Sequence, residues 1–119
     1  MKNRPNITQE SEIDSAGFIR DRKHRDTREL NEDTIEAVRV WVREYCRATK
    51  SFRSPFHSYG WKHEAERPHE GGGIGRYVSN GEFIVACLRE GYRVRQTDHG
   101  SPNADLNITW VPQRKAVRS

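Results

Sequence analysis

Ile35, Val38, Val42 and Tyr45 fall at i, i+3, i+7 and i+10 along the chain, with Trp41 and Cys46 widening the stripe. Arg39, Arg43, Glu44 and Arg47 lie on the other side. An apolar stripe at this period predicts an amphipathic helix, read here as 34–48, with Asp33 and Glu36 at capping-box spacing. A shorter helix is predicted to start at Ser54-Pro55 or Ser58 and run through Tyr59, Trp61, Lys62 and Ala65. It must stop near Arg67, because Pro68 restricts the residue before it. The clearest element is the third. Ser79-Asn80-Gly81-Glu82 is a capping box, Phe83, Ile84, Cys87 and Leu88 form the buried stripe, and Gly91 supplies the stop.

After Gly91 the period changes from helical to alternating. Tyr92 to Thr97 reads as one strand; Leu106, Ile108 and Trp110, interleaved with polar positions, read as a second. The eight-residue loop 98–105 between them predicts a hairpin, ended by Pro112. The predicted fold is therefore α+β, about three helices followed by a C-terminal two-stranded hairpin. Residues 1–32 hold few apolar groups and carry the run Arg20 to Glu29, almost wholly charged with alternating sign. Such a segment has little surface to offset its ordering entropy. It is expected to be a disordered, mobile charged arm. The globular α+β domain is placed at 33–112, and 113–119 is read as a basic tail.

Composition sharpens this picture. In 119 residues, 33% are hydrophobic, 32% charged and 9% aromatic, and mean hydropathy is −1.02. That suits one small domain and excludes a large α/β enzyme with a deep cofactor crevice. The longest apolar run, Phe83 to Leu88, has six residues and is too short to span a bilayer. No apolar segment of signal-peptide type follows Met1, so a cytoplasmic setting is expected. Cys46 and Cys87 form no paired motif and read as reduced, buried small hydrophobes. The net charge of +4 is unevenly spread: residues 1–33 carry −1 and residues 34–119 carry +5, with arginine the main cation. Arginine favours forked contacts to phosphate and carboxylate, which points to phosphate-rich or acidic partners.

Candidate chemistry was weighed against plainer roles. His57, His63 and His69 recur every six residues beside Glu64, Glu66 and Glu70, but ligands on one helical face need i, i+4. Surface or capping histidines are favoured, and no metal or other cofactor is expected. Ser58 and Lys62 share a helix face, yet serine–lysine nucleophiles use a spacing of three and an oxyanion hole, so no catalytic residue is assigned. The glycine loop 71–75, with Arg76 after it, has backbone N–H groups for an anion but lacks the strand and Lys-Ser of a phosphate loop. A flexible connector is the simpler reading. Trp61 and Trp110 are either core or base-stacking groups, with Arg93 and Arg95 beside them on the hairpin. Helix-turn-helix recognition is disfavoured, since the loop between the second and third helices is far longer than that motif allows.

The stretch Ser58-Tyr59-Gly60-Trp61-Lys62-His63-Glu64-Ala65-Glu66, then Tyr77-Val78-Ser79-Asn80 and Gly91-Tyr92, resembles a pattern in small, mostly uncharacterised proteins of bacteriophages and prophages. The resemblance covers roughly residues 57–95 and implies context more than chemistry: phage accessory genes, a class that includes anti-CRISPR inhibitors of host defence and DNA-handling proteins. It transfers no catalytic residue. Together these readings predict a non-enzymatic accessory protein that binds a nucleic-acid-handling machine, with inhibition of host defence as one concrete version. The alternative is direct DNA or RNA binding, and a small metal- or anion-dependent enzyme ranks third. The residues expected at the binding surface are Arg76, Arg93, Arg95, Lys62, Trp61, Trp110, Arg114 and Lys115.

Overall fold

The computed structural model describes residues 8–20, 23, 25–67 and 73–112. Helix α1 spans Glu32–Tyr45 and buries Ile35, Val38, Trp41 and Val42, the predicted stripe. Its N-cap is Asn31, whose side chain accepts from the Thr34 amide, so the cap lies two residues before the expected Asp33. The helix also ends earlier than its apolar pattern. Cys46–Ala48 leave it as strand β3, which pairs antiparallel with β6 (Ile108–Trp110). Helix α2 covers Ser58–Glu66. Helix α3 covers Asn80–Arg89 and has the complete predicted capping box between Ser79 and Glu82. Gly91 takes a φ of +85°, the left-handed stop.

α3 is the centre of the molecule. Every residue from Asn80 to Cys87 is buried, and α3 packs against α1, α2 and three of the strands. A helix covered all round must be apolar over most of its circumference, and Phe83-Ile84-Val85-Ala86-Cys87 meets that need. Mixed α+β is therefore the observed class: among the described residues there are three α-helices and three small antiparallel two-stranded sheets.

The predicted C-terminal hairpin is only half present. β4 (Val94–Gln96) pairs with β5 (Ala104–Leu106), Val94 opposite Leu106 and Arg95 opposite Asp105. The chain then breaks at Asn107, and β6 crosses to β3 instead of continuing the hairpin. The expected single strand 106–111 is thus two strands in two sheets. Alternation persisted across the break, so periodicity alone could not show it.

The expected arm also differs where it is described. Ile13–Asp14 and Gly17–Phe18 form a short antiparallel pair, β1 and β2, with Ile13 and Phe18 in the core. The pair sits on the N-terminus of α3, where the Gly81 amide donates to Ser15 O at 3.1 Å. A Cβ on Gly81 would lie 1.8 Å from Asp14 O, so this approach requires glycine. The buried Asp14 carboxylate accepts from the Ala16 and Asp26 amides, both within 2.9 Å. Arg89 of α3 grips Glu10 and Glu32. Few apolar residues suffice here because glycine contacts, backbone hydrogen bonds and ion pairs supply the remaining attachment. The predicted tail 113–119 lies outside the described residues.

Candidate nucleic-acid interface

The loop between β3 and α2 is held in place by one buried side chain. Asn107 sits where the chain leaves β5, and its Oδ1 accepts from the Arg93 amide at 2.7 Å. Its Nδ2 donates to Thr49 O at 3.0 Å, and its carbonyl accepts from the Thr49 amide at 2.7 Å. The loop 49–57 is thereby fixed beside the strand that carries Arg93 and Arg95.

The loop delivers Phe52 to those arginines. The Arg95 guanidinium lies 4.2 Å from the ring centroid and the Arg93 guanidinium 5.5 Å. Cation–π geometry of this kind holds two like charges over one ring. Arg95 also contacts Asp105, its partner across the ladder, at 3.1 Å. Arg47, Lys50 and Arg53 belong to the same stretch, and all three are exposed. Among the described residues, Arg47, Lys50, Arg53 and Arg93 have no carboxylate within ion-pair distance.

The helical face is built oppositely. Arg39 and Arg43 share Glu90 at 2.7 and 3.1 Å, with Glu36 farther off. Arg89 is paired with Glu10 and Glu32. Arg39, Arg43 and Arg89 are thus neutralised locally, whereas Arg47, Lys50, Arg53 and Arg93 are not.

Beside the Phe52 ring opens a cavity of about 310 Å³, with Ser54, Phe56, His57 and Asp105 in its lining. Ser58 Oγ accepts from the Ala104 amide at 2.9 Å and ties α2 to β5. Gly60 gives Phe56 its seat, since a Cβ there would lie 2.9 Å from the Phe56 Cβ. Phe56 stands edge-on to Trp61, with ring centroids 5.1 Å apart, and Trp61 Nε1 donates to Ser54 Oγ.

The residues singled out from sequence fall in different places. Arg93 and Arg95 share the Phe52 site. Trp61 has 0% exposure and stacks among Trp41, Phe56 and Trp110, so it offers no face to a base. Trp110 is half-buried in the same cluster. Lys62 is only 4% exposed; its Nζ lies over the rings of Tyr59 and Tyr77 and 3.5 Å from Glu66. Arg76 is exposed, on the segment leading to α3. Arg114 and Lys115 lie outside the described residues. Phe52 was missed, though a lone aromatic between Lys50 and Arg53 in a polar loop was a readable signal.

Several catalytic or ligand-binding ideas lose their groups to structure. Ser58 Oγ is buried against Ala104, away from any nucleophilic role with Lys62. His63 Nδ1 contacts Glu66 Oε1 at 2.8 Å, and Glu66 Oε2 accepts from the Val78 amide, which joins α2 to the approach to α3. Of the glycine loop, the Ile74 and Gly75 amides donate to Ala65 O and Glu66 O, capping α2 rather than an anion. His69 lies outside the described residues, among which no group of three or more metal-ligating side chains occurs. Burial pushes the Cys46 thiol up to about 12 and the Cys87 thiol well above its ordinary value, so neither is a thiolate at neutral pH. No helix among the described residues is long and apolar enough to cross a membrane. No protein-family model, curated protein or solved structure matches this chain.

Proposed function

We propose that this protein is a non-catalytic nucleic-acid-binding accessory protein, gripping the phosphate backbone with Arg93, Arg95, Arg47, Lys50 and Arg53. The observation that carries this is the placement of charge. Four of these five cations lack a carboxylate partner among the described residues, whereas the arginines of α1 and α3 are matched by glutamates. Arginines over an aromatic ring, with unpaired Arg93 among them, suit a polyanion with stacking bases. In the phage or mobile-element setting that the Ser58–Glu66 motif implies, the role is that of an accessory to a nucleic-acid-handling machine, host-defence complexes included. The sign of the face favours direct contact with the nucleic acid. A protein that blocked the nucleic-acid channel of such a complex would need negative charge to match a basic channel.

Fluorescence anisotropy on labelled DNA and RNA at graded salt tests the proposal. Neutralising phosphates releases counterions, so affinity should fall linearly with salt on logarithmic axes. Arg93→Gln should weaken binding and reduce the slope by about one. Absence of binding to any DNA or RNA at low salt overturns the reading.

A further inference from the structure

We infer that the cavity beside Phe52 receives one unstacked base of a single strand, and that it favours bases carrying an exocyclic amino group. The inference rests on the nucleic-acid reading above and adds the form of the ligand. A cavity of about 310 Å³ lies at the small end of ligand pockets, enough for one ring system. Its walls include two phenyl rings, Phe52 and Phe56, with the guanidiniums of Arg93 and Arg95 over the first. A base in the cavity would therefore lie against aromatic surface while its phosphate stays within reach of the arginines.

The polar lining gives the preference. Asp105 Oδ1 accepts from Thr97 Oγ1 at 3.2 Å and Oδ2 from Arg95 Nε at 3.1 Å. Each oxygen keeps a second lone pair for an incoming donor. Ser54 Oγ accepts from Trp61 Nε1 and the Phe56 amide, which leaves its own proton to donate. A carboxylate acceptor with a hydroxyl donor nearby matches an amino group next to a ring nitrogen, as on cytosine or adenine. Thymine and uracil offer the carboxylate only an N3–H, flanked on both sides by carbonyl oxygens that the carboxylate repels. A duplex keeps its bases stacked and paired, so the cavity selects single strands.

The test compares labelled decamers of dC, dA and dT, an abasic strand of the same length and charge, and a duplex, all at one salt concentration. Oligo-dC or oligo-dA is expected to bind ~10-fold or more tighter than the abasic strand, and more tightly than oligo-dT and the duplex. Phe52→Leu should remove most of the gain of oligo-dC or oligo-dA over the abasic strand. Asp105→Asn also frees Arg95, so all strands should bind somewhat more tightly while the preference for dC over dT disappears. Equal binding of dC and abasic strands by the unmodified protein, or tighter binding of the duplex, overturns the base site and leaves the phosphate reading standing. No binding to any probe overturns both.

Discussion

Glu82 joins two helices through one carboxylate, and replacing it with glutamine tests that junction. It is 6% exposed. Its Oε1 accepts from the Ser79 amide at 2.9 Å, closing the α3 capping box, and its Oε2 accepts from the Asn31 amide at 2.7 Å, at the start of α1. Glutamine has the same shape but one acceptor, so its NH₂ would face one of the two N–H donors. The loss of a charge-assisted hydrogen bond costs about 1.5–3 kcal/mol, and loss of negative charge at the α3 N-terminus adds about 0.3–1 kcal/mol. Glu82→Gln should therefore destabilise by ~2–4 kcal/mol, a large share of the ~5–15 kcal/mol available to a small domain. Ser79→Ala, which removes only the acceptor of the Glu82 amide, should cost ~1 kcal/mol. Urea denaturation at neutral pH measures both, with the loss appearing as a lower midpoint at unchanged slope. A Glu82→Gln unfolding free energy within ~0.5 kcal/mol of the parent, or above that of Ser79→Ala, would refute the two-helix role.

Gly60→Ala places a Cβ 2.9 Å from that of Phe56; the strain should cost ~1–3 kcal/mol in a thermal melt, and an unchanged melting temperature would contradict the seat assigned to Phe56. Cys46, with its thiol near 12, and the fully buried Cys87 should both resist a thiol-specific chromogen at pH 8. Denaturant should expose two equivalents, and rapid labelling of the folded protein would count against their burial. Hydrogen bonds from Arg28 hold the Asp26 carboxyl at about 2, and a hydrogen bond from Arg89 lowers that of Glu32. The unfolded chain takes up these protons first, so the stabilisation is complete above the usual carboxylate range and is lost as pH falls through the lowered values. Melting temperature should accordingly drop between roughly pH 4 and pH 2, less steeply in Asp26→Asn; stability that is flat or rises on acidification contradicts the pairing.

Local signals were legible and distant ones were not. The start of α3 could be read because Ser79 and Glu82 satisfy each other within one turn. The second bond of Glu82, to Asn31, joins positions 51 apart and leaves no local trace. The α1 stripe was readable, but its end was not: Cys46 continues the apolar face while its backbone is taken by Trp110 across a sheet. Asn107 looked like an ordinary polar position of an alternating strand, yet it divides two sheets and fixes the loop 49–57. Arg93 and Arg95 stand out in the sequence as charged positions of an alternating strand. That Phe52 and Asp105 meet these arginines required the fold, since they come from a distant loop and a neighbouring strand.

The attachment of the N-terminal segment carries a consequence for synthesis. Thr8 Oγ1 donates to Val94 O, 86 positions later, and the β1–β2 pair docks on α3. At about 5–20 residues per second, Thr8 leaves the ribosomal active site on the order of 4 to 17 s before its partner is made. Until α3 is made, Ile13 and Phe18 lack the helix on which they dock. The charged run from Arg20 to Glu29 follows this apolar group in the chain and keeps it from associating with other chains while it waits. A run of alternating charge is thus placed where a nascent chain would need protection.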